Sequence, residues 1–171
     1  MDNPTALYHG SLYKQTELMP GFKRSGELTV WDGVESNIFL YATSNKQEAC
    51  LLGIGSAAEK TFNSERFIEL EGDIWVFTSS PISIDEFLKM EIYCYTLPFR
   101  DNDGWKKNNN PYNNIDTEWK TKNTIRDVQV EQVDIRTVMK GKRITLTTAP
   151  ADTDLPHLVR QYGSSTKIFK M

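Results

Sequence analysis

Three short stretches of this chain hold residue types that can do chemistry together. The first is Tyr8-His9-Gly10-Ser11. A histidine near a strand end offers a ring nitrogen, the glycine lets a ligand approach the main chain, and the serine adds a hydroxyl. The second is Phe39-Leu40-Tyr41-Ala42-Thr43-Ser44, followed by Asn45-Lys46-Gln47-Glu48-Ala49. Here an apolar run ends in a tyrosine able to cover a flat ring, and small polar residues then open a helix. The third is Asp116-Thr117-Glu118-Trp119, directly after an asparagine-rich segment. A glutamate at a strand start can face a cleft. Taken singly, these also describe a turn, a core tyrosine and a solvated carboxylate. Their order along the chain sets them apart.

In that order the three resemble the His–Tyr–Glu class of the ADP-ribosyltransferase superfamily. Tyr8-His9-Gly10-Ser11 is similar to the first-strand motif of the diphtheria toxin catalytic domain and of the poly(ADP-ribose) polymerase catalytic core. Tyr41 to Ala49 is similar to the toxin's second motif, and to the Ser-Thr-Ser motif of Arg-specific transferases with Tyr41 in place of the first Ser. Asp116-Thr117-Glu118 is similar to their Glu-x-Glu, with Asp116 in first place. The likeness spans residues 7–52 closely and 91–134 loosely.

The resemblance implies one ADP-ribosyltransferase-like domain over residues 1–171, an α+β fold with a split β-sheet core and a few short helices. It implies NAD as the bound substrate and no metal. His9, Tyr41 and Glu118 would form the catalytic set. His9 would bond a ribose hydroxyl, and Gly10 would hold the nicotinamide carboxamide through its N–H and C=O. Tyr41 would stack on the nicotinamide. Ser11, Thr43 and Ser44 would complete the NAD contacts. Glu118 would accept a bond from the ribose and face the positive charge that develops as the glycosidic bond breaks. The segment before Glu118 would select the acceptor. Two departures stand out. Leu52 replaces a second aromatic, leaving the nicotinamide one aromatic wall, and Asp116 in place of Glu argues against Arg-directed transfer.

The implied activity is mono-ADP-ribosyl transfer to a macromolecular or small acceptor. NAD glycohydrolysis uses the same trio. A non-catalytic binding or interaction module on the same fold is the alternative from another class. The RNA 2′-phosphotransferase relatives rely on further His and Arg residues, and besides His9 this chain has only His157.

The elements that must position these residues read as follows. Ala6–Tyr8 and Ile38–Ala42 are apolar strands, the latter buried on both faces. A helix over 46–61 starts after Ser44 or Asn45 and sets Ala49, Leu52 and Ala57 near one face; Gly53 and Gly55 weaken it by ~1 kcal/mol each. Arg66–Leu70, Asp73–Thr78 and Glu91–Leu97 read as strands, and Ser83–Lys89 as a short helix with a capping box from Ser83 to Glu86. Residues 100–116 read as one long polar loop. Strands follow at Thr117–Thr121, Asp127–Asp134 and Arg143–Thr147, with a further strand at Glu27–Trp31 and a helix at Leu155–Tyr162. There is no GxGxxG and no GxxxxGK[ST], so neither a Rossmann nor a P-loop site is implied.

Composition narrows the partners. Hydrophobic residues make up 39% and charged residues 25%, a globular balance. The net charge of −3 gives no general attraction to nucleic acid. It is uneven: residues 1–118 hold 10 basic against 18 acidic side chains, and residues 119–171 hold 10 against 5. A protein or small-molecule acceptor is therefore favoured over nucleic acid. A nucleic-acid acceptor would call on Lys106, Lys107, Lys120, Lys122 and Arg126, with Trp105 and Tyr112 to stack on bases. Cys50 and Cys94 lie in apolar runs and read as buried free thiols. MDNPTALYHG shows no secretion leader, and no apolar run approaches the ~18 residues of a membrane span, so no membrane partner and a cytoplasmic location are expected.

Overall fold

The computed structural model describes residues 3–20, 39–62, 64–70, 72–78, 80–108, 117–148 and 167–170. The elements in chain order are β1 (Ala6–Ser11), β2 (Leu40–Thr43), α1 (Lys46–Phe62), β3 (Ser64–Leu70), β4 (Asp73–Thr78), α2 (Ile84–Leu88), β5 (Ile92–Pro98), a 3₁₀ turn (Asp101–Asp103), β6 (Lys106–Lys107), β7 (Glu118–Thr121), β8 (Gln129–Val133), α3 (Ile135–Val138), β9 (Arg143–Thr148) and β10 (Lys167–Lys170). The fold is mixed α+β, mostly strands with few helices. Two open sheets carry it, a six-stranded one ordered β6-β7-β2-β1-β5-β8 and a four-stranded one ordered β10-β9-β4-β3. Neighbours are antiparallel except β4 and β9, which run parallel. No helix of the described residues is long and apolar enough to cross a membrane.

Helix α1 joins the two sheets and explains its own glycines. Gly53 and Gly55 lie on opposite sides of the helix, two residues or roughly 200° apart. A Cβ on Gly53 would stand 3.0 Å from the Gly10 backbone, and one on Gly55 would stand 3.2 Å from the Phe67 ring of β3. A Cβ on Gly10 would stand 1.9 Å from the Ala49 carbonyl oxygen. So the helix cost of two glycines is offset by close packing on both sides. The buried arc is correspondingly wide: Ala49, Cys50, Leu51, Gly53, Ile54, Ala57 and Ala58. Leu52 does not share it; its side chain is 53% exposed. The expected apolar face is corrected on this point, because α1 is clamped between β1 and β3 and Leu52 falls on the arc that neither covers.

The core has two parts. One gathers Ile54, Ala57, Ile74, Val76, Phe87, Ile92 and Ile144 around α1 and the smaller sheet. The other gathers Leu7, Leu18, Leu40, Tyr95, Leu97, Trp105 and Ile125 against the large sheet. Alternation along β1 and β5 divides these strands between the two, with Leu7, Tyr95 and Leu97 in the second and Ile92 and Cys94 in the first.

The segment after β5 is more ordered than its composition suggests. Asp101–Asp103 forms a 3₁₀ turn, and Lys106–Lys107 pairs with β7. The Thr121 hydroxyl donates to the Asp103 carbonyl at 2.6 Å and ties this turn to β7. Strands β6 and β10 and helix α3 were not expected, being too short or too polar to carry a periodicity. Residues 109–116, the strand expected at Glu27–Trp31, the helix expected at Leu155–Tyr162, and His157 lie outside the described residues.

Candidate active site

A gap between β1 and β2 is the centre of the site. β1 pairs with β5 through all six residues, from Ala6↔Pro98 to Ser11↔Tyr93. With β2 it pairs at one position, Tyr8↔Thr43. Backbone parity says what the gap exposes. Phe99 N–H donates to the Thr5 carbonyl, so the odd residues of β1 bond toward β5 and the even ones, Tyr8 and Gly10, point toward β2. Ser44 N–H donates to the Thr117 carbonyl, so the even residues of β2 bond toward β7 and the odd ones, Tyr41 and Thr43, point toward β1. Tyr8 and Thr43 complete their pair. The ladder between the two strands stops there, one pair short of Gly10 and Tyr41.

His9 bridges the gap. Its Nδ1 lies 2.8 Å from the Tyr41 carbonyl oxygen. A carbonyl only accepts, so Nδ1 carries the hydrogen, and Nε2 is the acceptor of the neutral ring. The ring thus takes the acceptor that a regular ladder would have given to Gly10 N–H. By the same parity the Gly10 N–H and C=O lie on the β2 side of β1. The Tyr95 ring packs beside His9, 6.2 Å between centroids.

A cleft of about 150 Å³ opens at this point. Tyr8, His9, Gly10, Tyr41, Thr43, Glu48, Leu52 and Glu118 are among its lining. Tyr8 and Tyr41 are the two aromatic residues of that lining. A cavity of this volume holds one six-membered ring.

Glu118 begins β7 directly opposite Thr43. Its carboxylate accepts from the Asn108 side-chain amide, and the Asn108 N–H donates to the Glu118 carbonyl at 2.9 Å. Asn108, at the end of β6, therefore holds Glu118 by main chain and side chain together.

The structure brings His9, Gly10, Tyr41, Thr43 and Glu118 to one cleft, and leaves Ser11 and Ser44 outside its lining. The Ser11 hydroxyl is buried and accepts from Tyr13 N–H at 3.1 Å, closing the turn after β1. Ser44 is exposed, and its N–H is the one bonded to Thr117. Asp116 lies outside the described residues.

Glu48 was missed in the sequence. It borders the cleft, and its Oε2 accepts from the Thr43 and Thr117 hydroxyls, each at 2.6 Å. It stands at the third position of α1, three residues after the capping Asn45, whose Oδ1 accepts from Gln47 and Glu48 N–H at 3.0 and 3.3 Å. A carboxylate there usually returns to the cap's own N–H. Here the Thr43 hydroxyl accepts that N–H at 3.0 Å, and Glu48 turns toward the cleft.

Beside the cleft the sheet becomes basic. Lys106 lies across from Lys120, and Lys120 from Tyr41, so these side chains share a face. The Lys120 and Lys122 ammonium groups stand 4.7 and 5.0 Å from the Phe39 ring centroid, a cation–π arrangement. The rest of the cationic set is dispersed. Arg126 pairs with Glu17 at 3.0 Å, and Trp105 is buried in the second core, so it offers no stacking surface. Tyr112 lies outside the described residues.

Beneath the cleft, Cys94 pairs with Gly10 across β1 and β5, and Cys50 follows Ala49 on α1. Both thiols are free and buried. Their mutual hydrogen bond pushes the Cys94 thiol far above the ordinary thiol range, with burial adding to the rise. The same bond lowers Cys50, against burial and with help from Lys46. Lys46 is itself raised by its bond to Glu131 at 2.7 Å, which ties the start of α1 to β8.

Comparison with protein-family models, with curated proteins and with solved structures finds no match to this chain.

Proposed function

We propose that this chain is an NAD-dependent mono-ADP-ribosyltransferase, with the gap between β1 and β2 as its nicotinamide pocket. The observation that carries this reading is a cleft the size of a single ring where the β1–β2 ladder stops after Tyr8↔Thr43, lined by His9, Gly10, Tyr41 and Glu118. The Gly10 peptide borders it with an N–H and a C=O on the β2 side. A primary carboxamide on that ring offers the matching acceptor and donor, so the two main-chain bonds would set its orientation. Tyr41 and Tyr8 would contact the ring, and His9 Nε2 would accept from a ribose hydroxyl.

NAD brings a glycosidic bond whose leaving nicotinamide departs with the bonding electron pair. Glu118, held by Asn108, would face the positive charge that then develops on the ribose. A carboxylate already oriented there stabilises the transition state more than the ground state. The split-sheet core of the ADP-ribosyltransferases is part of this proposal. It is supported by a sheet that parts between its first two strands and by a carboxylate at the start of the strand beside them.

The experiment is nicotinamide release from NAD⁺ by the purified protein, alone and with cell lysate, beside Glu118→Gln. Loss of one preorganised group costs ~10²–10³ in rate, so Glu118→Gln should be slower by that factor with NAD⁺ affinity kept. Lysate-dependent release indicates transfer, and lysate-independent release indicates hydrolysis. Release that ignores Glu118→Gln, or no binding of NAD⁺ at all, sinks the proposal.

A further inference from the structure

Glu48 has no place in the chemistry described so far, yet it borders the cleft with Glu118 and is itself held in place. Two threonine hydroxyls, from Thr43 on β2 and Thr117 before β7, hold its Oε2. Both hydrogen bonds of this carboxylate among the described residues fall on Oε2, so Oε1 is the oxygen they leave over. Thr43 pairs with Glu118 across β2 and β7, so Glu48 and Glu118 stand at the same end of the cleft. Thr117 directly precedes Glu118, which puts Glu48 on the side where the segment expected to select the acceptor rejoins the sheet. A carboxylate at this helix position ordinarily returns to the cap's own N–H. The fold gives that role to Thr43 and spends the carboxylate on the cleft.

We propose that Glu48 is a second catalytic carboxylate, the base that takes the proton from a neutral hydroxyl acceptor; this rests on the ADP-ribosyl-transfer reading above. Glu118 is placed for the sugar and cannot serve both needs at once. Transfer to a hydroxyl must also dispose of a proton. The acceptor oxygen bonds to the ribose carbon as the carbon–nitrogen bond breaks, the electron pair of that bond leaves with nicotinamide, and the hydroxyl proton passes to Glu48 Oε1. No oxidant, reductant or metal enters the balance. The two threonine bonds fix the carboxylate plane without occupying the oxygen that acts, the arrangement a supported catalytic group requires. The acceptor class is then a group with a proton to give, such as a hydroxyl of a macromolecule or water. A carboxylate acceptor would gain nothing from Glu48.

The test compares wild type, Glu48→Gln, Thr117→Val and Glu118→Gln in three measurements. These are NAD⁺ affinity by calorimetry, nicotinamide release, and nicotinamide release with added azide, which attacks without a proton to lose. For Glu48→Gln, affinity should stay within about twofold of wild type while release falls on the order of 10²–10⁴, the usual weight of a general base. Azide should restore its release and yield an ADP-ribosyl azide detectable by mass. Glu118→Gln should not be restored. Thr117→Val keeps the carboxylate but loosens it, so it should show a smaller fall that azide also recovers. It carries the test should Glu48→Gln fail to fold. Glu48→Gln at the wild-type rate, slow but without azide recovery, or with clearly weakened NAD⁺ affinity overturns the assignment. An active wild type with an inactive Glu118→Gln then sinks this inference alone. A wild type that neither binds NAD⁺ nor releases nicotinamide sinks the functional reading and this inference with it.

Discussion

Helices α1 and α2 begin on the same local signature and end with different structures. At α2, Ser83 accepts from Glu86 N–H at 3.2 Å, and the Glu86 carboxylate accepts from Ser83 N–H at 2.8 Å. The box closes on itself at the surface. At α1, Asn45 accepts from the first-turn N–H groups, but Glu48 leaves the box for Thr43 and Thr117. The difference lies in the neighbours. Among the described residues the Glu86 carboxylate bonds only to Ser83, whereas Thr43 at the end of β2 and Thr117 just before β7 bring two hydroxyls to Glu48. A capping signature thus marks a helix start reliably, but it fixes the use of its carboxylate only where no tertiary partner intervenes.

Exchanging the roles of the two glutamates gives the largest expected effect. Glu48→Gln should lower turnover on the order of 10² or more, while Glu86→Gln leaves turnover at the wild-type level. Side-by-side rates of nicotinamide release decide it, and equal behaviour of the two variants would erase the contrast.

Next in size are the two glycine contacts of α1. Gly10→Ala drives a methyl into the Ala49 carbonyl, a backbone atom that cannot step aside, and should cost about 1–3 kcal/mol as overpacking. Gly55→Ala meets only the Phe67 ring, at 3.2 Å, and gains helix propensity of ~1 kcal/mol, so it should be close to neutral. Urea unfolding of the two variants measures this, and a Gly10→Ala as stable as wild type would mean that β1 and α1 separate easily.

Ser83→Ala should cost ~1 kcal/mol of stability through the lost cap and leave the rate of nicotinamide release unchanged. Chemical denaturation beside an activity assay checks both halves. A change in rate would show that α2 communicates with the cleft.

The smallest effect is a pH dependence at α2. Bonds from the Ser83 hydroxyl and Ser83 N–H hold the Glu86 carboxyl below the ordinary carboxylate range. A group lowered on folding contributes stability above its unfolded value and loses it as pH falls through the folded one. The stability gap between wild type and Glu86→Gln should therefore shrink as the solution is acidified below the ordinary carboxylate range. Unfolding midpoints across that range test the sign, and a gap that widens on acidification would reverse it.

Several residues of the candidate cleft were legible because they sit at strand ends and helix starts, where short motifs carry information. His9, Gly10, Tyr41, Thr43 and Glu118 do border one cleft. Ser11 and Ser44 looked equivalent to them in the sequence but close a turn and pair with β7 instead. Trp105 could be read either as a stacking surface for a nucleic-acid acceptor or as an anchor of its loop, and the structure shows the anchor, folded into the second core. Leu52 looked like core by its spacing and is exposed, because α1 is gripped on the two sides where its glycines lie.

By itself the sequence determined what depends on adjacent residues. The apolar runs of β4 and β5, the span of α1 and the Ser83–Glu86 box each rest on residues within a few positions of the chain. Only the tertiary structure decided what depends on distant ones. The His9–Tyr41 bond spans 32 residues and the Glu48–Thr117 bond spans 69. Whether β1 and β2 zip together or part at Gly10 turns on such bonds and on how closely α1 can approach β1. Those are packing outcomes, settled by which groups meet once the chain is folded, and no local pattern encodes them.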